Sequence, residues 1–74
     1  MWLLNKERDK IVNLNNVKKL SAKYYPWDSS YHFFADDELL LGKYETEIEI
    51  ENEIKRILEA ERNGETVYKM KKNT

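Results

Sequence analysis

The chain has 74 residues, a net charge of −1, a single histidine and no cysteine. Disulfides, thiolate metal sites and histidine-rich metal sites are thereby excluded, and the balanced charge excludes the overall basic character of a general duplex nucleic-acid binder. A single domain of this length buries only about 60% of its extended-chain surface and rarely gains more than roughly 3–5 kcal/mol of net stability from its core, so self-association into a homo-oligomer is expected.

In chain order, "MWLLN" reads as a short strand ended by the polar turn "NKERDK". Such polar residues directly after the apolar run do not suit a signal peptide, and no apolar stretch reaches the ~18 residues of a membrane helix. No membrane association is expected. The absence of cysteine suits a reducing compartment, so the expected location is the cytoplasm.

Val12 and Leu14 alternate before Asn15 and Asn16, a pair that favours a turn or bulge. A second extended run takes in Val17, Leu20, Ala22 and Tyr24, until "PWDSS" breaks it through the fixed φ of Pro26 and the turn preference of Asp28 and the serines. "SYHFFA" has strong strand composition. Strict alternation there sends Tyr31 and Phe33 to one face and His32 and Phe34 to the other. "DDE" then gives a tight polar connection into "LLLGKY", the second arm of a β-hairpin. Gly42 within that arm marks a bulge or a close approach of the helix.

"TEIEIENEIKRILEAERNGE" carries the clearest signal, a helix over about residues 46–63. Thr46 and Glu49 form a capping-box pair, acidic residues crowd the first turns, and Gly64 stands at the stop. Ile50, Ile54, Ile57 and Leu58 fall on one face at helical spacing. "ETVYKM" reads as a short last strand, and residues 70–74 as a frayed tail. The expected fold is one α+β domain spanning residues 1–74, an antiparallel sheet of four or five strands with one C-terminal amphipathic helix on one face. The other face is left without a cover from this chain, and an uncovered apolar face points to an interface or a ligand.

Residues 23–34, "KYYPWDSSYHFF", hold six of the nine aromatic residues. The first 35 residues are net +3, whereas residues 36–63 are net −6. Aromatic rings stack on nucleobases and neighbouring cations take phosphates, so Tyr25, Trp27, Tyr31 and His32 with Lys18, Lys19 and Lys23 form the candidate ligand site. Core and subunit interface are the competing uses of the same rings. Catalytic readings are poorly supplied. A Ser-His-Asp arrangement would depend on His32 with Ser29 or Ser30 close by in sequence, and Asp36, Asp37 and Glu38 fit a hairpin turn better than a paired-carboxylate centre. Only two glycines are present, so a glycine-rich phosphate loop is excluded, and neither a cofactor nor a metal is expected.

Trp2 in "MWLLN", the segment "IVNLNNV", the stretch "LLLGKYETEIEIENEIKRILE" and the final "NGETVYKM" give a layout that resembles small uncharacterised proteins of low-GC Gram-positive bacteria and their phages. The most specific part is LG-x-Y-x-[ST]-E, present as Leu41, Gly42, Tyr44, Thr46 and Glu47. The resemblance implies a mobile-element origin and action by stoichiometric binding, and it carries over no catalytic residue. The expected function is sequestration of a nucleotide immune signal to counter host defence. Inhibition of a host enzyme through the sheet face or the acidic helix is the alternative, and a nucleotide-processing enzyme is a weaker third.

Overall fold

The computed structural model describes residues 1–72. Six strands and one helix follow the order β1 (Trp2–Leu4), β2 (Ile11–Asn13), β3 (Leu20–Tyr25), β4 (Ser30–Ala35), β5 (Leu39–Tyr44), α1 (Glu47–Arg62) and β6 (Val67–Lys69), with a one-turn 3-10 helix, Leu14–Asn16, after β2. The α+β class is as expected. The single antiparallel sheet of four or five strands is not, because the strands divide into two three-stranded sheets, β2-β1-β6 and β3-β4-β5. The first is mixed. β1 pairs antiparallel with β2 but parallel with β6, in the register Trp2↔Val67, Leu3↔Tyr68 and Leu4↔Lys69.

The division begins at the first turn. Asn5 is 2% exposed, and its side-chain oxygen accepts the N–H groups of Asp9 (3.1 Å) and Lys10 (2.9 Å), which reverses the chain after only three strand residues. Lys6 leaves the ladder, donating its N–H to the Leu41 carbonyl at 2.9 Å, and so ties the small sheet to β5. After α1 the chain returns alongside β1, which gives the parallel pairing that a helical connection permits and a hairpin does not.

The hairpins lie where turn chemistry places them. Asp36 and Asp37 adopt φ of 53° and 61°, and Glu38 N–H closes on the Ala35 carbonyl at 3.2 Å, the two left-handed residues that match the twist of the flanking strands. Asp36 Oδ1 also accepts the N–H groups of Lys18 (2.9 Å) and Lys19 (3.0 Å), fixing the start of β3. The Asn pair lies in the 3-10 turn, where Asn13 Oδ1 accepts from Asn15 N–H at 3.0 Å.

α1 has the predicted limits to within a residue. Thr46 Oγ1 accepts from Glu49 N–H at 3.3 Å at the N-cap. At the other end Gly64, with φ 73°, lets Glu65 N–H reach the Ala60 carbonyl at 3.1 Å. The buried stripe departs from the apolar spacing: it runs Ile50, Glu53, Ile57, Ala60, with Ile54 partly buried and Leu58 59% exposed. Ile50 and Ile57 join Leu3, Phe33, Ala35, Leu41, Tyr44 and Met70 in one core between the helix and the sheets.

Glu53, 0% exposed, holds this core's polar centre. Its carboxylate accepts from Tyr44 Oη (3.2 Å), Tyr68 Oη (2.5 Å), Lys71 N–H (3.2 Å) and Arg56 Nε (3.4 Å), joining β5, α1 and the chain after β6. Met70 is fully buried and donates its N–H to the Leu4 carbonyl at 3.0 Å, so the expected fraying does not begin at residue 70. Asn73 and Thr74, the end of that expected tail, lie outside the described residues. Among the described residues no helix is long and apolar enough to cross a membrane.

Candidate functional site

Alternation along β4 decides which aromatic residues are free. Phe33 and Ala35 point into the core, 0% and 3% exposed, and Ser30, His32 and Phe34 point to the opposite face. The register then lays rows across three strands. Lys23 stands opposite His32, which stands opposite Lys43; Ser21 stands opposite Phe34, which stands opposite Leu40. A shift in register between Phe33 and Phe34 skips Leu41 and allows Leu41 to be buried while Leu40 stays on the outer face.

On this outer face Tyr25 is the hub. Its ring centroid lies 4.1 Å from His32, 4.8 Å from Trp27 and 6.4 Å from Phe34, and the Lys23 ammonium stands 5.7 Å from it. Trp27, carried on the turn after Pro26, is 79% exposed. A shallow cavity of about 410 Å³ beside the hub is lined by Ser21, Ala22, Lys23, Tyr25, Phe34 and Asp37. Tyr25 and Trp27 meet at 56°, so together they form an open wedge of two apolar faces and not a closed stack.

His32 is fixed from below. Its Nε2 lies 3.0 Å from Asp28 Oδ2 and 3.1 Å from Ser30 Oγ, while Ser30 Oγ donates to Asp28 Oδ1 at 2.7 Å. These bonds, Ser30 first and His32 next, hold the Asp28 carboxyl below the usual carboxylate range. Serine and aspartate meet the same ring nitrogen, and the serine proton goes to Asp28. Nucleophile activation requires them on opposite nitrogens of the ring. The trio orients the imidazole against Tyr25. Among the described residues no group of three or more His, Asp or Glu side chains is placed to hold a metal ion.

Of the residues singled out from the sequence, Lys23, Tyr25, Trp27 and His32 come together. Lys19 shares their face but lies at the other end of β3, where its ammonium pairs with Asp37 at 2.6 Å. From Lys19 to Lys23 is about 13 Å along an extended strand. Lys18 has the opposite parity and, together with Lys19 and Glu61, borders a small cleft floored by Leu14, Val17, Leu20, Ile57 and Leu58. Tyr31 turns away from the cluster, 5.0 Å from Tyr24 and against the core. Phe34 and Lys43 complete the face and were not singled out. His32–Phe34 parity gave a signal for the first, but Lys43 required the β4–β5 register. Comparison with protein-family models, with curated proteins and with solved structures returns no match for the chain.

Proposed function

We propose that the protein is a non-enzymatic binder of nucleotides, which it takes up on the outer face of the β3-β4-β5 sheet. The observation that carries this reading is the Tyr25–Trp27 wedge with the Lys23 ammonium beside Tyr25, packed on a His32 that Asp28 holds and that stands opposite Lys43 in the register of β5. A base stacked on Trp27 or Tyr25 gains about 1–3 kcal/mol, and the lysines supply the charge for its phosphates. In the setting implied by the resemblance to phage proteins, such binding without turnover sequesters a nucleotide signal of host defence. A homo-oligomer suits the small core.

Titration of Trp27 fluorescence in a Trp2→Phe background, with adenine mono- and dinucleotides, tests the proposal. Saturable quenching is expected, weakened in Lys23→Ala; for Trp27→Ala, which has no tryptophan left in this background, calorimetric titration with the same nucleotides should show binding lost. Folded variants that bind as tightly as the parent would remove the site, and a flat titration would remove the function. Native mass spectrometry on the same protein reports subunit number and any retained nucleotide.

A second reading, inhibition of a host protein, is favoured by the start of α1, where Ile48 is 66% exposed among the exposed carboxylates Glu45, Glu47, Glu49 and Glu51. Salt-sensitive co-purification with one host protein, abolished by Ile48→Ser, is the outcome that reading requires.

A further inference from the structure

The helix-side face of β5 bears a second feature, unrelated to the aromatic wedge. Lys6 is 4% exposed, its stem lying against Gly42 and its ammonium 3.6 Å from the Tyr44 ring centroid. An ammonium has three protons to donate. Lys6 Nζ hydrogen-bonds to the Lys43 carbonyl at 2.6 Å, and none of the ion pairs among the described residues includes it. Burial lowers its pKa, outweighing the pull of Glu49 and Glu53 in the other direction. A buried charge without a counter-ion in contact is costly.

Lys6 lies at one side of a cleft of about 340 Å³ whose lining also includes Tyr44, Asn52, Arg56, Lys71 and Lys72. That volume is within the range of small-molecule sites. Two carboxylates also border the cleft, against four cations, and only one of the two, Glu53, is fully engaged. Glu53 accepts from four donors, and Glu49 accepts from Thr46 Oγ1 at 3.3 Å. Arg56 meets Glu53 and Tyr68 through Nε, and among the described residues its terminal nitrogens take no side-chain partner. We propose that this cleft is a second binding site, which takes a phosphate-class anion, inorganic phosphate or a phosphomonoester, between Lys6, Arg56 and the two consecutive lysines 71 and 72.

The anion supplies a counter-ion in contact with Lys6, which Glu49, Glu53, Glu7 and Glu45 act on only from a distance, and Arg56 offers the planar donor pair that suits a phosphoryl group. Tyr44 belongs to the helix-side face, so the site is separate from the Tyr25–Trp27 wedge and stands or falls independently of nucleotide binding there.

The test is a ¹H–¹⁵N NMR titration of the full chain with inorganic phosphate, against chloride at matched ionic strength. Saturable shifts are expected in the Lys6 ammonium and in the Lys71 and Lys72 amides, with phosphate and not with chloride. Lys6→Met should weaken phosphate binding by about tenfold, the loss of one charge-assisted contact. If that variant fails to fold, the doubly substituted Lys71→Ala/Lys72→Ala chain, altered only at exposed side chains, should show the same direction of change. Trp27→Ala should leave the response intact. Adenosine monophosphate shifting the same signals more tightly would identify the occupant as a phosphomonoester, and more weakly, as the free ion. Equal shifts with chloride, unchanged affinity in the double variant, or loss of the response in Trp27→Ala would each overturn the proposal.

Discussion

Gly42 and Lys6 compete for one space. A Cβ built at Gly42 falls 2.9 Å from both Cβ and Cδ of Lys6, closer than unstrained carbon atoms approach. The glycine is needed for room and not for backbone freedom, since Gly64 is the glycine with positive φ. Gly42→Ala should therefore push Lys6 and the β1–β2 turn away from β5, at a cost of about 1–3 kcal/mol, the usual range for overpacking. Urea denaturation measures it as a lower midpoint with unchanged slope. A midpoint equal to that of the parent would mean that the turn shifts freely.

The Glu53 centre predicts a pH dependence on the alkaline side. Tyr44 and Tyr68 both have a phenol pKa raised from the ordinary 10.0, by burial first and by Glu53 in addition. A raised folded pKa means that the unfolded chain releases the proton first. Stability from these groups is thus complete below pH 10 and falls as pH rises beyond it. For Tyr44, 5% exposed, the loss is about 1.4 kcal/mol per pH unit while only the unfolded form is ionised. Tyr44→Phe should flatten the decline in denaturation midpoint between pH 10 and 11.5, and an unchanged decline would exclude Tyr44 as its source.

At neutral pH the same centre predicts a larger effect. Tyr68→Phe removes the shortest of the four bonds to Glu53 and leaves a buried carboxylate short of a donor, which costs about 1–3 kcal/mol. Adding Glu53→Leu to Tyr68→Phe should deepen the loss, because Tyr44 Oη and the Lys71 N–H are then left without their acceptor. Thermal unfolding of the two variants decides this, and a double variant more stable than Tyr68→Phe alone would show that burying the carboxylate costs more than its remaining three bonds return.

The local features were legible because they are written in neighbouring residues. Thr46 with Glu49, Gly64, the Asp36–Asp37 turn and the alternation of Tyr31 to Phe34 each depend on contacts a few residues apart. What was hidden depends on distant partners. The parallel β1–β6 pairing joins residues 2–4 to 67–69, and no local pattern distinguishes it from an added antiparallel strand. Glu53 reads as one more exposed acidic residue until Tyr44, Tyr68 and Lys71 close around it. The candidate face divides in the same way. Lys23 and Tyr25 share a parity along β3, but Tyr31 carries the other parity and Lys43 joins only through the register of β5.

The aromatic block itself gives the last prediction, since two of its members should behave oppositely. Phe33 is 0% exposed, with its ring 6.3 Å from that of Tyr44, and lies in the core beneath α1. Phe33→Ala should cost about 3–5 kcal/mol, as much as the core of a chain this short is expected to supply, so the variant should be largely unfolded. Trp27 is 79% exposed and rests mainly on Tyr25, so Trp27→Ala should shift stability by no more than about 0.5 kcal/mol. Under the proposed function, a ring that contributes little to folding and stands exposed beside Tyr25 is there to meet the ligand. Urea denaturation of both variants, alongside nucleotide titration of Trp27→Ala, separates the two roles. If Trp27→Ala proved as destabilising as a core truncation, the wedge would be a structural contact and the outer face would lose its strongest claim to a ligand.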